Sequence, residues 1–245
     1  RVVYVESPGS QTFEVQDIPA IAEAAHKRGA VVMMDNTWAS PLYFKPFEHG
    51  VDVSIQAGTK YLVGHSDVMI GTATATKEHW PVLEETSREL GQTAGPDDIY
   101  LTQRGLRTLS VRLQRHWETG VRLAVWFRDQ PEIECVMHPA LPEDPGHVLW
   151  RRDFLGASGL FAVTLKPCSH DAVAALVDGL ELFGLGASWG GYESLVLVAN
   201  PNSMRVARKW PHRGPVIRFH AGLEDPDDLI EDLERAMAAM RRVAG

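Results

Sequence analysis

One lysine is placed to act as a nucleophile. Lys60 lies in Ser54-Ile55-Gln56-Ala57-Gly58-Thr59-Lys60-Tyr61-Leu62-Val63-Gly64-His65-Ser66, between a short β-like run and a polar Gly/His/Ser turn. Small residues precede it and apolar ones follow. That setting partly strips water from an amine, favours its neutral form and equips it to form a Schiff base. Asp35 is a candidate counterpart. It ends the apolar run Val31 to Met34, 25 residues before Lys60. A carboxylate there needs a cation or hydrogen bonds. It either caps the turn that Asn36 and Thr37 begin or meets a positive group in a site shared with Lys60. A pyridine cofactor needs both residues: a lysine for its aldehyde, and an acid that keeps its ring nitrogen protonated so that the ring takes up electrons.

Other residues fit the same chemistry less specifically. The Thr59 hydroxyl, beside Lys60, can donate to a phosphate, although threonine is also a common strand residue. Arg218 sits in the apolar strand-like run Val216 to Phe219. It requires an anion, either a structural acid or the carboxylate of a substrate, which suits its planar fork. Ser188-Trp189-Gly190-Gly191-Tyr192-Glu193-Ser194 is Gly-rich but lacks the GxxxxGK[ST] pattern of a phosphate loop. On its own it reads as a tight turn with a packed Trp.

The elements that must hold these residues alternate. Val2 to Val5 reads as a buried strand and Glu6 to Ser10 as a loop. Asp17 to Arg28 reads as a helix, with Asp17 as N-cap, Pro19 in the first turn and Gly29 as stop. Strands are expected at Ala30 to Met34, Val51 to Ile55 and Val68 to Ala75. Strand, helix, strand is the mark of a parallel α/β sheet, whose ligands sit beyond the carboxyl ends of the strands. Ser7, Asp35 and Lys60 all lie just past strand ends and so converge on one crevice. Lys77 to Gly91 and a long stretch from Asp97 to Gln130 read as helices. A boundary near Thr108 divides residues 1–107, a large α/β domain, from residues 108–245, a small α+β domain. In the second, Pro131 to Ser158 reads as strand plus loop. Strands follow at Gly159 to Leu165, Leu195 to Val198 and Val216 to Phe219, and helices at Asp171 to Gly179 and Pro226 to Val243.

Composition narrows the function classes. The 245 residues carry a net charge of −8 without a Lys/Arg cluster, which argues against nucleic acid. No apolar run approaches the roughly 18 residues of a membrane span. Two cysteines, Cys135 and Cys168, and ten scattered histidines show no metal-ligand spacing, and a reducing cytoplasm is the expected setting. The sequence opens at Arg1 and passes straight into a strand. The expectation is the C-terminal part of a longer protein.

Asp52 through Ser66 resembles the lysine signature of the pyridoxal-phosphate enzymes of cysteine and methionine metabolism: Asp, apolar, three free positions, two small residues, Thr-Lys, aromatic, apolar, one free position, Gly-His-Ser. Asp35 to Pro41 is similar to the family's pyridine-binding segment. Ser188 to Ser194 and Ile217 to Asp225 are similar to its two substrate-side motifs. Within the family the cystathionine β-lyase branch is the nearest match. Ser7-Pro8-Gly9-Ser10 replaces the Pro-x-Asn-Pro loop of the γ-branch, and Ala57 stands where those relatives carry a phosphate-binding Ser.

The resemblance implies pyridoxal 5'-phosphate as cofactor and an aspartate-aminotransferase-like (fold type I) α/β fold, N-terminally incomplete here, with an α+β small domain. It implies Lys60 as Schiff-base lysine and proton-transfer base. Asp35, Thr59 and Ser7 would lie on the cofactor, and Arg218, Ser188 and Trp189 on a small sulfur amino acid. A homo-oligomer, dimer or tetramer, is the expected assembly of the full-length protein. The implied reaction is β-cleavage of cystathionine to homocysteine, pyruvate and ammonia. γ-Type relatives, a desulfhydrase-like lyase and a non-catalytic regulator on the same scaffold are the alternatives. The family's phosphate loop and cofactor-stacking aromatic precede Val2, so low activity is expected of these residues alone.

Overall fold

The structure, a computed structural model, describes residues 1–244. Four strands form the first sheet: β1 (Val2–Glu6), β2 (Val31–Asp35), β3 (Val53–Ala57) and β4 (Gly71–Ala75), in that spatial order. β1, β2 and β3 are parallel; β4 joins antiparallel. The parallel reading thus covers three of the four expected strands. The fourth is shorter than expected and turns back, because the polar turn after Lys60 delivers the chain to the edge of β3 without a crossover helix.

Helix α1 (Ile18–His26) bridges β1 and β2. Asp17 caps it, its Oδ1 accepting from Ala20 N at 3.2 Å, and Pro occupies its first turn. Its buried stripe is Ile18, Ala22 and Ala25. A short turn of helix, α2 (Ser40–Tyr43), follows β2.

The expected long helix is broken. α3 (Trp80–Glu89) is followed by α4 (Pro96–Leu106) and α5 (Leu109–Arg128), with a kink at Arg107 and Thr108. The cause is tertiary. A Cβ on Gly105 would lie 2.4 Å from the carbonyl oxygens of Leu62 and Val63, so α4 presses its bare backbone on the turn after Lys60. α5 then starts afresh on the core side, burying Leu109, Leu113, Leu123 and Phe127.

The second sheet has the order β5 (Ile133–Met137), β6 (Leu160–Leu165), β9 (Val216–His220), β8 (Leu195–Ala199), β7 (Gly184–Leu185). All its pairings are antiparallel except β7 with β8. Every residue of β6 and β9 is buried, as befits strands covered on both faces. Helices α7 (His170–Asp178) and α8 (Pro226–Ala244) pack on one another. The stretch expected as strand plus loop also contains a helix, α6 (His147–Asp153), whose Trp150 indole donates to Gly156 O at 3.0 Å.

Two hydrophobic clusters result. One lies within the second sheet and its helices. The other joins the first sheet to Leu109, Leu113, Leu160, Trp189 and Val216. Trp38 stitches this junction, its Nε1 donating to Leu160 O at 3.0 Å across 122 residues. No described helix is long and apolar enough to cross a membrane.

Candidate active site

The register of the parallel strands pairs Glu6 with Asp35 and Asp35 with Ile55, so β1 and β2 end level and β3 runs two residues further, to Ala57. Asp35 forms the turn cap expected of it. Its Oδ1 accepts from the Thr37 amide at 2.9 Å and the Thr37 hydroxyl at 2.5 Å, which is the turn cap. Thr37 Oγ1 in turn accepts from Ala57 N at 2.8 Å, tying the end of β2 to the end of β3. Oδ2 of Asp35 makes no hydrogen bond within the described residues and remains free for a cationic N–H.

The Lys60 turn is held by its backbone. Lys60 N donates to Ala57 O at 3.0 Å, Val63 N to Gly58 O at 3.0 Å, and Gly64 N to Lys60 O at 2.8 Å. Gly64 has φ +74°. The buried Arg112 of α5 donates to the carbonyls of Tyr61 at 2.9 Å and Gly105 at 2.8 Å. Lys60 Nζ donates to Ser188 Oγ at 2.7 Å and lies 5.3 Å from the centroid of the Trp189 ring. It has no carboxylate within ion-pair distance among the described residues. Its pKa is lowered, first by burial and then by the Arg218 charge. Both effects favour the free amine, the nucleophilic form.

Arg218 is 5% exposed and has no acidic partner within 4.0 Å among the described residues. Nη2 donates to Ala187 O at 2.6 Å and Nη1 to Ser10 O at 3.2 Å. The structural ion pair considered for it is therefore not formed in this arrangement. Glu6 acts on its charge without forming an ion pair; a buried guanidinium in that state is costly, and an anionic ligand held directly relieves that cost.

The hydroxyls of Ser7 and Thr59 are engaged with the backbone. Ser7 is 2% exposed and its Oγ accepts from Gln16 N at 2.9 Å. Thr59 Oγ1 accepts from Ile70 N at 2.9 Å and donates to Ile70 O at 3.2 Å. Its single proton is directed at Ile70, and donation to a phosphate requires the hydroxyl to rotate away.

Two site residues escaped the sequence reading. Glu6 closes β1 beside Asp35. Its pKa is raised by burial first and by the Asp35 charge second, while Ser10 N donates to its Oε1 at 3.1 Å. The signal was the one used for Asp35, a carboxylate ending an apolar run. Arg112 carried no local signal, because the carbonyls through which it reaches the Lys60 turn, those of Tyr61 and Leu62, are about 50 residues away.

A cavity of about 640 Å³ opens elsewhere, between residues 12–15, β5 and the segment 141–146, and none of the residues above lines it. The chemistry is located instead by three groups: a half-buried amine without an acid, a carboxylate with one free oxygen, and a buried guanidinium without an anion. These fit pyridoxal phosphate with an amino acid.

Comparison with known proteins agrees. The family model for Cys/Met metabolism PLP-dependent enzymes matches residues 1–238. The chain is 53% identical to a putative cystathionine β-lyase of Rhizobium johnstonii over 99% of its length, and 47% identical to cystathionine β-lyase MetC of Escherichia coli over 97%. It spans 62% of the length of each of these curated relatives. A crystal structure of cystathionine γ-synthase from Xanthomonas oryzae, in complex with aminoacrylate and cysteine, superposes with a TM-score of 0.90 at 34% identity, covering 98% of this chain and 64% of that one. The fold is therefore fold type I, and the chain belongs to the PLP-dependent enzymes of cysteine and methionine metabolism.

Proposed function

We propose that the complete protein is a carbon–sulfur β-lyase that cleaves cystathionine, or a related cysteine S-conjugate, to a thiol, pyruvate and ammonia. The observation that carries the amino-acid substrate is Arg218, buried without an acid while both its terminal nitrogens rest on carbonyls. The identities of 53% and 47% to proteins named cystathionine β-lyase support the β-branch.

When bound, pyridoxal phosphate supplies an aldehyde for the amine and a protonated ring that takes up the electron pair released at the α-carbon. The chain's own residues do the rest. Asp35, fixed through Oδ1, offers Oδ2 to hold the ring-nitrogen proton. Arg218 binds the α-carboxylate with its remaining N–H groups, and this sets the α-carbon before Lys60. Lys60, displaced by the incoming amine and with its charged form disfavoured by burial, takes the α-proton at Nζ. Ser188 holds Nζ at 2.7 Å and limits its travel. Trp189 covers the same amine and excludes water. The bond from Cβ to sulfur then breaks, the thiolate leaves with the proton that Lys60 had taken, and the three-carbon enamine, once released, is hydrolysed by one water to pyruvate and ammonia. Ser7 and Thr59 sit on the cofactor side in this scheme.

The exposed apolar side chains of α3 and α4, Trp80, Val82, Ile99 and Tyr100, support a homo-oligomer. A cytoplasmic enzyme of transsulfuration and methionine synthesis is the setting we assign.

A γ-type reaction is the second reading, favoured by the superposition on cystathionine γ-synthase. Incubation of the complete enzyme with cystathionine separates the two. Pyruvate with homocysteine is the expected outcome, and 2-oxobutyrate with cysteine overturns it.

A further inference from the structure

Two consecutive inward-facing residues of β9 grip the segment that touches Lys60. Arg218 holds Ala187 O at 2.6 Å. His220, two residues on, holds the other end: Gly190 N donates to His220 Nε2 at 3.0 Å. Between the grips lie Ser188, on the Lys60 amine, and Trp189, beside it. Gly190 itself has φ +85°, and a Cβ there would stand 3.0 Å from Lys60 Cα, C and Cβ. The segment is thus in backbone contact with the lysine as well as hydrogen-bonded to it.

His220 is 1% exposed, and its protonation state is set by its neighbours. Nε2 sees a donor, Gly190 N–H, at 3.0 Å and an acceptor, Gly191 O, at 3.2 Å. It can serve one of them. The Gly190 amide has no other acceptor among the described residues, and an unmet buried N–H is costly. The shorter contact, to Gly190 N–H, assigns the lone pair to Nε2 and the proton to Nδ1, and it is the backbone amide that this tautomer satisfies. His220 Nδ1 has no partner, and neither has Nε2 of the neighbouring His116, whose Nδ1 lies 2.7 Å from Ala221 O. The rings are 5.1 Å apart. Donation from His116 Nδ1 to Ala221 O leaves a lone pair on its Nε2, complementary in kind to the Nδ1–H of His220. The other charged or titratable groups around His220 are Arg218, Lys60 and Tyr61.

We propose that His220 is a positioning residue for Lys60: as a neutral imidazole protonated on Nδ1, it pins Gly190 and so keeps Ser188 and Trp189 against the lysine amine. Its grip does not depend on substrate. When a carboxylate draws on the fork of Arg218, the His220 end stays fixed. The inference rests on the assignment of Lys60 as the cofactor lysine.

The test uses the complete, cofactor-loaded enzyme as wild type, His220→Leu and His220→Gln. Leucine has similar bulk and no acceptor; glutamine restores an acceptor at about the reach of Nε2. In His220→Leu the pH midpoint of the cofactor's visible absorbance, read without substrate, shifts by about half a unit or more. kcat falls roughly tenfold while KM changes less. His220→Gln returns the midpoint to the wild-type value. Equal loss of Tm in both variants with an unmoved midpoint overturns the proposal and leaves His220 a packing residue. Should His220→Leu fail to fold, ¹⁵N NMR of the wild-type imidazole decides: a bare Nε2 at neutral pH is expected, and a proton on Nε2 overturns it. A wild-type enzyme that releases no thiol from cystathionine would sink the lyase reading alone, since the midpoint needs no substrate.

Discussion

The amine of Lys60 lies 2.7 Å from the hydroxyl of Ser188, across 128 residues of chain and between two sheets. The contact gives the lysine an uncharged partner, so its neutral form is not penalised by loss of an ion pair. Ser188→Ala removes one hydrogen bond of about 1 kcal/mol. The expected result is a fall of roughly fivefold in kcat/KM with cofactor still bound, measured by steady-state thiol release.

Arg218 separates function from stability. Arg218→Leu deletes the carboxylate clamp and is expected to cost about 3 kcal/mol of substrate binding, a rise in KM of roughly 100-fold. It also removes a buried cation that feels the charge of Glu6 but forms no direct ion pair, so Tm is expected to hold within about 3 °C of wild type. Thermal melts and saturation kinetics on the same sample check both halves.

Gly190 and Gly29 share a positive φ, +85° and +61°, but not a neighbourhood. A Cβ at Gly29 meets nothing within 4 Å. Gly29→Ala is expected to cost about 1 kcal/mol of stability and leave turnover unchanged. Gly190→Ala carries the same backbone strain and pushes on Lys60, so kcat falls as well. Paired unfolding and activity measurements distinguish them.

The sequence carried the poles of the site but not their supports. Asp35 stood out because it ends a short apolar run, and Lys60 because small residues precede it and apolar ones follow, each past a strand end in a sheet whose strand ends open on a crevice. Arg218 was legible because an arginine within an apolar strand demands an anion. The break at Arg107 and Thr108 was not legible, since both flanks favour helix and the cause is Gly105 pressed against carbonyls some 40 residues earlier. The sense of β4 was equally hidden, because five small and β-branched residues suit either direction. Glu6 and His220 were within reach. Glu6 ends β1 as Asp35 ends β2, and His220 shares a face of β9 with Arg218.

Buried histidines set the acid limit of the fold. Burial holds His116 and His138 near 4, below the ordinary value of 6.5. Between those values the unfolded chain binds more protons than the folded one. Stability therefore rises with pH across this window and is lost as pH falls through it, by on the order of 3 kcal/mol for each histidine. Urea midpoints at pH 7 and 4.5 are expected to differ strongly. His138→Asn, which keeps an acceptor for Ala140 N–H, is expected to weaken the dependence.

Lys60 has the same sign. Its folded pKa is lowered, so the folded state pays for the charged amine at neutral pH and is relieved as pH rises toward the ordinary lysine value. Without cofactor, Lys60→Met is expected to be more stable than wild type at pH 7, with the gap narrowing at alkaline pH.

The most direct test of the account is to locate the cofactor. The complete enzyme is loaded with pyridoxal phosphate, reduced with borohydride to fix the linkage, digested and mapped by mass. The account predicts the pyridoxyl group on Lys60 and its loss in Lys60→Ala. A label on another lysine such as Lys27 or Lys77, or full lyase turnover by Lys60→Ala, would contradict it.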